Sequence, residues 1–330
     1  MTWNLKEFVN HGAELTARFD VLNKTHVAVL LGHYNGSAFL AEQLRSLAAQ
    51  THKDWSLILS DDGSTDHWLN IVADFVRTTP DRRVVMMNGP RRGFARNFLS
   101  LLTAAGPTVP YVAFCDQDDV WLPDKLTRAI ASLEQVRPGR PALYCGRTTI
   151  CDRELKPIGV SPLFGRAPSF ANALVQNIGG GNTMVLNRAA LDILQDTARH
   201  ASDIVSHDWW AYQIISGADG QVFYDPEPSV LYRQHGRNIV GANQSWRARL
   251  TRINRLLRGE FRAGNAAHSQ ALWRARHWLS PEAVQTLQRF DQLRNGSLRQ
   301  RVRILQRSGI HRQTRCGQAA LFGAALLKRL

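Results

Sequence analysis

The sequence has few of the features that mark a disulfide-bonded, zinc-binding or membrane-spanning protein. It contains four cysteines in 330 residues, and none forms a CxxC pair or stands with histidines at zinc-ligand spacing. We therefore expect reduced thiols, with Cys115 a small core residue in an apolar run. No run of about 18 apolar residues occurs, which predicts that no segment spans a bilayer. Residues 1–10 are polar and charged, a pattern that predicts no signal peptide.

Acidic residues are scarce in only one part of the chain. Residues 242–330 contain 18 Lys and Arg but 3 Asp and Glu, whereas residues 1–241 contain 23 and 24. The net charge of +14 therefore belongs to a basic tail that follows a near-neutral domain. Since 44% of the residues are hydrophobic, the chain can bury a sizeable core. Only the tail needs an anionic partner.

Strand and helix patterns alternate along the first third of the chain. Such alternation predicts an α/β fold with a mainly parallel sheet flanked by helices. In such sheets ligands bind outside the carboxyl ends of the strands, so the polar loops that follow the strands should share one crevice. The expected strands are residues 27–32, 55–60, 83–87 and 111–115, and the expected helices are residues 38–50, 68–77 and 94–105.

The later part of the chain predicts a different organisation. Short strand patterns occur at residues 142–145, 183–186 and 221–224 between glycine-rich loops, and from residue 245 the pattern is helical and rich in arginine. We therefore expect a lead-in at residues 1–25, a catalytic domain at residues 26–243 and a basic helical extension at residues 244–330.

The densest local signal is the segment Asp116-Gln117-Asp118-Asp119, directly after an apolar strand. Carboxylates so close together repel and raise each other's pKa values. A hard divalent cation such as Mg²⁺ or Mn²⁺ would neutralise them, because these ions prefer oxygen ligands. A solvated acidic turn or a helix cap is the alternative.

Three further segments carry side chains suited to chemistry. Asp61 and Asp62 follow a strand, where they can accept from a nucleobase or a ribose hydroxyl, or else cap the next helix. Asp208 stands beside aromatic residues that suit a sugar face, and its carboxylate suits proton abstraction; alternatively, it caps a helix while the tryptophans anchor the core. His235 is either a ligand or a structural histidine.

The order of these motifs resembles that of the family 2 glycosyltransferases with the GT-A fold. The resemblance covers roughly residues 27–243, and the segments at residues 116–121, 207–210 and 232–238 are most similar to the bacterial rhamnosyltransferase branch. Gly32-His33 departs from the family, which usually has Pro-Thr or a similar pair there. The motifs, in order, are Tyr34-Asn35, Asp61-Asp62-Gly63-Ser64, Gly93-Phe94-Ala95-Arg96-Asn97, Asp116-Gln117-Asp118-Asp119-Val120-Trp121 and Asp208-Trp209-Trp210.

The resemblance implies a role for each matching residue. Asp208 is the implied catalytic base, and Asp116 and Asp118 are the implied pair that holds the metal ion and the donor diphosphate. His235 completes the metal coordination, and Arg96 meets the diphosphate. The implied nucleoside contacts are Tyr34, Asn35, Asp61, Asp62 and Asp116, and the implied acceptor contacts are Trp209, Trp210, Gly180, Gly181 and Asn182.

These roles imply an inverting, metal-dependent transferase that uses a nucleotide-diphosphate sugar. The expected donor is dTDP-L-rhamnose, with UDP-hexose or UDP-N-acetylhexosamine as alternatives, and the expected acceptor is a surface polysaccharide or a lipid-linked saccharide. A nucleotidyltransferase would instead need a glycine-rich, basic phosphate loop, which His33-Tyr34-Asn35-Gly36 does not supply. A catalytically inactive module would not need the complete set of acidic residues and histidine.

The basic tail leaves two classes of partner open. Trp246, Trp273 and Trp278 among arginines resemble a nucleic-acid-binding composition, but no nucleic-acid motif accompanies them. Residues 319–327 form an apolar patch flanked by Arg315 and by Lys328-Arg329, which favours an anionic membrane surface. We therefore expect a cytoplasmic protein, peripheral on the inner face of the cell membrane. A helical tail packed on the catalytic domain is the alternative.

Overall fold

The computed structural model describes residues 23–201, 203–235 and 260–330. In the first part of the chain four strands alternate with three helices, and their bounds lie within two residues of the predicted ones. The strands are β1 (Val27–His33), β2 (Trp55–Asp61), β3 (Val84–Asn88) and β4 (Tyr111–Asp116), and the helices are α1 (Ser37–Ala48), α2 (Trp68–Thr78) and α3 (Phe94–Ala104).

Strand β1 lies at the topological switch point of the sheet: β2 and β3 lie on one side of it, and β4 lies on the other. It pairs in parallel with β2 on one side and with β4 on the other, and β2 pairs in parallel with β3. The spatial order β3-β2-β1-β4 leaves a crevice where the loops after β1 and β4 diverge. The register pairs His33 with Asp61 and Gly32 with Asp116, so all three strands end at this crevice.

The sheet continues beyond β4 in the order β8-β6-β9-β5, with β7 at the side of β6. Strand β8 is antiparallel to both β4 and β6, whereas β9 is parallel to β6. The predicted pieces at residues 142–145 and 221–224 are the beginnings of two longer strands. The elements are β5 (Val120–Trp121), α4 (Lys125–Leu133), β6 (Ala142–Cys151), β7 (Pro157–Val160), α5 (Phe170–Ala173), β8 (Val185–Asn187), α6 (Arg188–Thr197), α7 (His207–Gly217) and β9 (Gln221–Arg233).

Alternate residues of β1 contribute to two different cores. Val27, Val29 and Leu31 pack with helices α1, α2 and α4, whereas Ala28 and Leu30 pack with α3, α6 and α7 on the other side. Because successive strand side chains point to opposite faces, a sheet that is apolar on both faces is covered on both. The predicted α/β class, a mainly parallel sheet flanked by helices, is confirmed.

Four helices follow the last masked stretch, and their inner faces belong to the same core as α3, α6 and α7. Ser280 caps the second of them with Pro281 in its first turn, and Ser297 and Gln300 form a capping box at the third. Buried core residues include Leu272, Leu287, Phe290 and Leu321. The helices are α8 (Glu260–Arg274), α9 (Pro281–Asn295), α10 (Leu298–Arg307) and α11 (Arg315–Leu326).

Helical structure at the C-terminus therefore agrees with the expectation from sequence. The proposed boundary at residues 243 and 244 lies outside the described residues, as do residues 1–22 of the lead-in and Trp246. Within the described ranges, no helix combines the length and the apolar composition needed to cross a bilayer.

Candidate active site

A cavity of about 1700 Å³ opens at the carboxyl ends of β1 and β4. Pockets for one drug-sized ligand have about 300–1,000 Å³, so this cavity has room for two substrates. Most of the residues singled out in the sequence meet here although they come from distant segments. Those that line the cavity are Tyr34, Asn35, Asp62, Asp116, Asp118, Gly180, Gly181, Asn182, Asp208 and His235.

Three carboxylates lie close together on the floor of the cavity. Burial, with a smaller contribution from the nearby Asp118 and Asp208, raises the pKa of Asp116 to about 8. The Nε2 atom of His235 lies 2.8 Å from Oδ2 of Asp118, and the imidazole stacks on Phe39 with 4.7 Å between the ring centroids. A cluster of this kind stores negative charge that a cation would neutralise.

The donor atoms in this cluster fit a hard divalent cation that is shared with a substrate phosphate. Among the described residues, no three His, Cys, Asp or Glu side chains are grouped to hold a metal ion by themselves. Mg²⁺ is usually held by one or two carboxylates together with phosphate oxygens and water. Asp118, its neighbour His235 and Asp116 supply such a partial set of oxygen and nitrogen donors.

A second layer of contacts holds the cluster in place. Asp119 is fully buried and accepts from Nδ2 of Asn182 at 2.5 Å and from the backbone N–H of Arg233 at 3.1 Å. The Nε atom of buried Arg233 donates to the carbonyl of Asp118 at 2.9 Å, and its guanidinium pairs with Glu42. Burial raises the pKa of Asp119. No role was predicted for Arg233 from sequence, although it lies two residues before His235.

Asp208 is fixed at the start of α7. Its Oδ2 accepts from the backbone N–H of Gly181 at 3.1 Å, and its Oδ1 accepts from the N–H of Trp209 at 2.7 Å. The positive end of the helix dipole favours an ionised carboxylate at this position. A Cβ atom on Gly181 would lie 2.5 Å from Nε2 of His207, so this position in the cavity lining requires a glycine.

An aromatic wall that the sequence analysis did not identify surrounds His207. The buried imidazole stacks on Phe98 at 3.9 Å and meets Phe114 edge-on at 4.7 Å. Burial lowers the pKa of His207 to about 4, so the ring is neutral near pH 7. A neutral ring beside Asp208 leaves that carboxylate without a competing cation.

The loop after β1 presents Tyr34 at the opposite side of the cavity. The side-chain amide of Gln117 accepts from the Tyr34 N–H at 2.8 Å and donates to the Tyr34 carbonyl at 3.0 Å. A Cβ atom on Gly36 would come within 2.1 Å of Gln117, so this clamp requires a glycine there. The Tyr34 side chain is 58% exposed, and Asn35 beside it accepts from the Thr65 N–H at 2.9 Å.

The departure from the family pattern at Gly32-His33 has a local structural basis. His33 is buried, and its Nε2 lies 3.7 Å from Oδ1 of Asp66. The other oxygen of Asp66 accepts from the Ser37 N–H at 2.8 Å. His33 therefore packs against a carboxylate that holds the start of α1, and burial lowers its pKa.

Asp61 and Asp62 both organise loops. Asp61 accepts from the Ser64 N–H at 3.1 Å and does not line the cavity. Asp62 accepts from the backbone N–H groups of Arg91 and Gly93 at 2.6 Å and 2.8 Å. Neither caps α2, whose N-cap is His67.

Besides Asp61, three predicted site residues lie away from the cavity lining. Arg96 lies on α3, whereas Arg91 in the preceding loop does line the cavity. Trp210 is fully buried in the core, and the Nε1 of Trp209 donates to the Ala173 carbonyl at 2.6 Å. Core anchoring, the alternative considered for both tryptophans, fits these positions.

Open α/β sheets bind ligands in the crevice at the carboxyl ends of their strands, and here that crevice holds clustered carboxylates, a histidine and an aspartate fixed at a helix start. Comparisons with known proteins identify the class. The sequence model described as "Glycosyl transferase family 2" matches residues 29–190. The dTDP-rhamnosyl transferase RfbG of Shigella flexneri is 31% identical over 228 residues, which cover 67% of this chain and 76% of that protein. The chain belongs to glycosyltransferase family 2.

Two other proteins are similar over different extents. The putative glycosyltransferase EpsE of Bacillus subtilis is 36% identical over 111 residues, 34% of this chain and 39% of that protein. The crystal structure of Staphylococcus aureus TarS 1–349 in complex with UDP-GlcNAc has a TM-score of 0.50 at 16% identity, over 92% of this chain and 88% of that one. The structural likeness agrees with a GT-A type fold.

Proposed function

We propose that this protein is an inverting, metal-dependent glycosyltransferase that moves L-rhamnose from dTDP-L-rhamnose to a hydroxyl group of a bacterial surface polysaccharide or a lipid-linked saccharide. The family membership supports transfer from a nucleotide sugar. The rhamnosyl donor is supported by the name of the Shigella flexneri relative, a dTDP-rhamnosyl transferase. UDP-hexose and UDP-N-acetylhexosamine are the competing donors that the experiment below distinguishes.

One observation carries this proposal: Asp208 shares a cavity with Asp116, Asp118 and His235. Catalysis of sugar transfer requires two kinds of group, one for the charge that develops on the leaving diphosphate and one for the proton of the attacking hydroxyl. The acidic cluster supplies the first through a bound cation, and the carboxylate at the start of α7 supplies the second.

The proposed reaction is a single displacement. Asp208 accepts the proton of the acceptor hydroxyl as its oxygen forms a bond to the anomeric carbon. The bond from that carbon to the diphosphate oxygen breaks, and the nucleoside diphosphate leaves with the electron pair. A Mg²⁺ or Mn²⁺ ion held by Asp116, Asp118 and His235 would stabilise the negative charge on that leaving group. Attack from the face opposite the leaving group inverts the anomeric configuration.

The remaining residues are assigned to substrate binding. The exposed Tyr34 ring and Asn35 suit the nucleoside, with Asp61 and Asp62 shaping the loops around it. For the diphosphate, Arg91 is a better candidate than Arg96 because Arg91 lines the cavity. For the acceptor we retain Gly180, Gly181 and Asn182 and leave out Trp210, since its side chain is fully buried.

A cytoplasmic location is part of the same proposal. All four cysteines are unpaired, and three of them are buried. Free thiols are typical of a reducing compartment.

A panel of nucleotide sugars tests the proposal. The purified protein is incubated with dTDP-L-rhamnose, UDP-glucose or UDP-N-acetylglucosamine, with Mn²⁺ or with EDTA, and nucleotide release is measured. We expect release of dTDP from dTDP-L-rhamnose with Mn²⁺ only, and a product whose anomeric configuration by NMR is opposite to that of the donor. Preferential release of UDP would identify a UDP-sugar as the donor, and release of sugar 1-phosphate would indicate a nucleotidyltransferase.

A further inference from the structure

The last helix of the chain, α11, exposes apolar side chains to solvent. Between Arg315 and Lys328 no charged residue occurs. Leu321, Ala324 and Ala325 face the core and are buried. Ala319, Phe322 and Leu326 follow at helical spacing on the opposite side and are exposed, Phe322 by 37% and Leu326 by 44%. A helix that is apolar on both faces needs a second apolar environment for its outer face.

The neighbouring helix α10 also exposes apolar side chains, and it is joined to the end of α11 by hydrogen bonds. Leu298 and Val302 lie one turn apart on α10 and are exposed. Buried Arg301 donates from one guanidinium nitrogen to the carbonyls of Ala325 and Leu326 at 2.6 Å and 3.0 Å, which fixes α10 against the end of α11. The outer surface thus has apolar members Leu298, Val302, Ala319, Phe322, Leu326 and Leu327, and basic members Arg299, Arg303, Arg315, Lys328 and Arg329.

We propose that this α10–α11 surface binds an anionic lipid bilayer by lying on it, with the apolar side chains inserted among the headgroups and the basic side chains paired with lipid phosphates. Amphipathic helices with arginine and lysine beside apolar residues bind anionic interfaces in this way. With 12 residues, α11 is about 18 Å long, which suits a position parallel to the surface.

The charge of the surface favours lipid over a second copy of the chain. A twofold contact between identical surfaces would bring the same basic residues of both copies together. Such like-charge contacts destabilise an interface, whereas anionic headgroups neutralise every one of them.

The position of α11 also links this surface to the cavity. The segment before the helix is bonded to residues 172–176: Asn172 donates to the His311 carbonyl at 2.9 Å, and Arg312 donates to the Val175 carbonyl at 2.9 Å. Residues 177–182 follow directly and line the cavity. This link rests on the proposed function: the contact would place the acceptor residues Gly180, Gly181 and Asn182 near a membrane that carries a lipid-linked saccharide.

Vesicle flotation of the full-length protein tests the surface. Neutral phosphatidylcholine vesicles are compared with vesicles that contain equal parts of phosphatidylcholine and phosphatidylglycerol, at about 0.05 M and about 0.5 M salt. We expect flotation with the anionic vesicles at low salt, and a clear loss at high salt. The double variant Phe322→Ser/Leu326→Ser should bind about tenfold less, since two apolar side chains no longer insert. Arg315→Gln/Lys328→Asn should bind about 30-fold less, at about fivefold per basic residue.

Matched variants on other exposed positions serve as controls. Ile158→Ser/Leu163→Ser removes two exposed apolar side chains, and Arg77→Gln/Arg137→Gln removes two exposed charges. Both should float like the unmodified protein. Point variants are preferable to a deletion of residues 318–330, because that deletion would remove buried Leu321 and Ala324 from the core.

Three outcomes would overturn the proposal. The unmodified protein would fail to float with anionic vesicles at low salt, or the surface variants would float as well as their controls. In the third, sedimentation would show a dimer that the Phe322→Ser/Leu326→Ser variant abolishes while vesicle binding is absent, which would make a second copy the partner. Flotation needs no catalysis, so a protein that floats but releases no nucleotide would contradict the proposed function and not the lipid surface.

Discussion

The cavity floor gathers Asp116, Asp118 and Asp208 in a partly buried cluster, whereas the α10–α11 surface holds its arginines and lysine in water. Removing an ion from water costs several kcal/mol, so the buried acidic cluster needs compensating partners inside the protein or in its substrate. The exposed basic residues remain hydrated and carry no desolvation cost, so the fold is stable without a bound partner for them. The buried acidic cluster therefore requires a compensating ligand or cation, whereas the exposed basic surface can bind an anionic partner but does not require one.

Among changes to the acidic cluster, removal of the Asp118 carboxylate should cause the largest loss of transfer activity. We expect Asp118→Ala to abolish transfer, with a loss of about 10³-fold or more, because charge stabilisation by a metal ion contributes several kcal/mol. The fold should persist, since the change relieves repulsion. Turnover and Mn²⁺-dependent donor binding are the measurements, and Asp74→Ala, which removes an exposed carboxylate, is the control. Near-normal turnover in Asp118→Ala would refute the metal-site assignment.

The variant Asp208→Asn tests whether Asp208 accepts a proton during transfer or contributes to donor binding. We expect donor affinity to be kept and turnover to fall by roughly 10²-fold or more, the range for loss of a general base. Calorimetry of donor binding and turnover at saturating donor are measured on the same preparation. If donor binding were lost while turnover at saturation stayed intact, Asp208 would have a binding role instead.

Arg233→Lys tests the layer behind the cluster. The lysine keeps the charge but cannot reproduce the set of bonds to the carbonyls of Asp118 and Arg153 and to Glu42. We expect the Mn²⁺ concentration for half-maximal activity to rise about tenfold, as for other groups that orient metal ligands. Arg128→Lys is a matched control, because Arg128 pairs with Asp225 at 2.5 Å, at a distant part of β9. Equal effects of both variants would make Arg233 merely structural.

The last expected effect concerns the pH dependence of stability. It comes from the buried side chain of Lys125, which contrasts with the exposed cations of the α10–α11 surface. Its fully buried Nζ lies 3.7 Å from the centre of the Trp121 ring, and burial lowers its pKa to about 7. The unfolded chain, with a lysine pKa of about 10.4, binds a proton that the folded protein lacks between about pH 7 and pH 10. The free energy of unfolding should therefore fall as the pH decreases through that range.

Lys125→Met should remove that pH dependence and stabilise the fold by about 1–4 kcal/mol at pH 7, because an apolar chain of similar volume replaces a buried cation. Thermal unfolding at several pH values between 7 and 10 measures both effects, with exposed Lys156→Met as the control. The same pH dependence in Lys125→Met and in the unmodified protein would contradict this account.

The parts of the fold that were predictable from sequence are those with local signals. Strands β1 to β4 carry short apolar runs that end in polar loops, so both their bounds and the meeting of their loops followed from the pattern. The cavity contains ten of the residues named in advance, since the motifs mark strand ends. Strand β8 was less predictable: the expected strand at residues 183–186 begins at Thr183, which belongs to a short 3₁₀ helix, Gly181–Thr183, and the observed strand is Val185–Asn187.

Other features depended on contacts that no local pattern records. Trp210 is buried because α7 packs in the centre of the core, whereas its sequence neighbours suggested a sugar-binding face. Asp119 accepts from the backbone of Arg233, 114 positions away, and Gln117 clamps Tyr34 at a separation of 83 positions. The position of Arg91 in the cavity lining was missed because Arg96 lay within the recognisable motif.

The distance along the chain between Asp118 and His235, 117 positions, has a consequence for synthesis. The four parallel strands that end at residue 116 leave the ribosome first, because synthesis runs from the N-terminus. Arg233 at the end of β9, and His235 just after it, reach the acidic cluster only after more than a hundred further residues have been synthesised. A growing polypeptide therefore contains the parallel strands at the base of the cavity well before it contains the histidine that completes the acidic cluster.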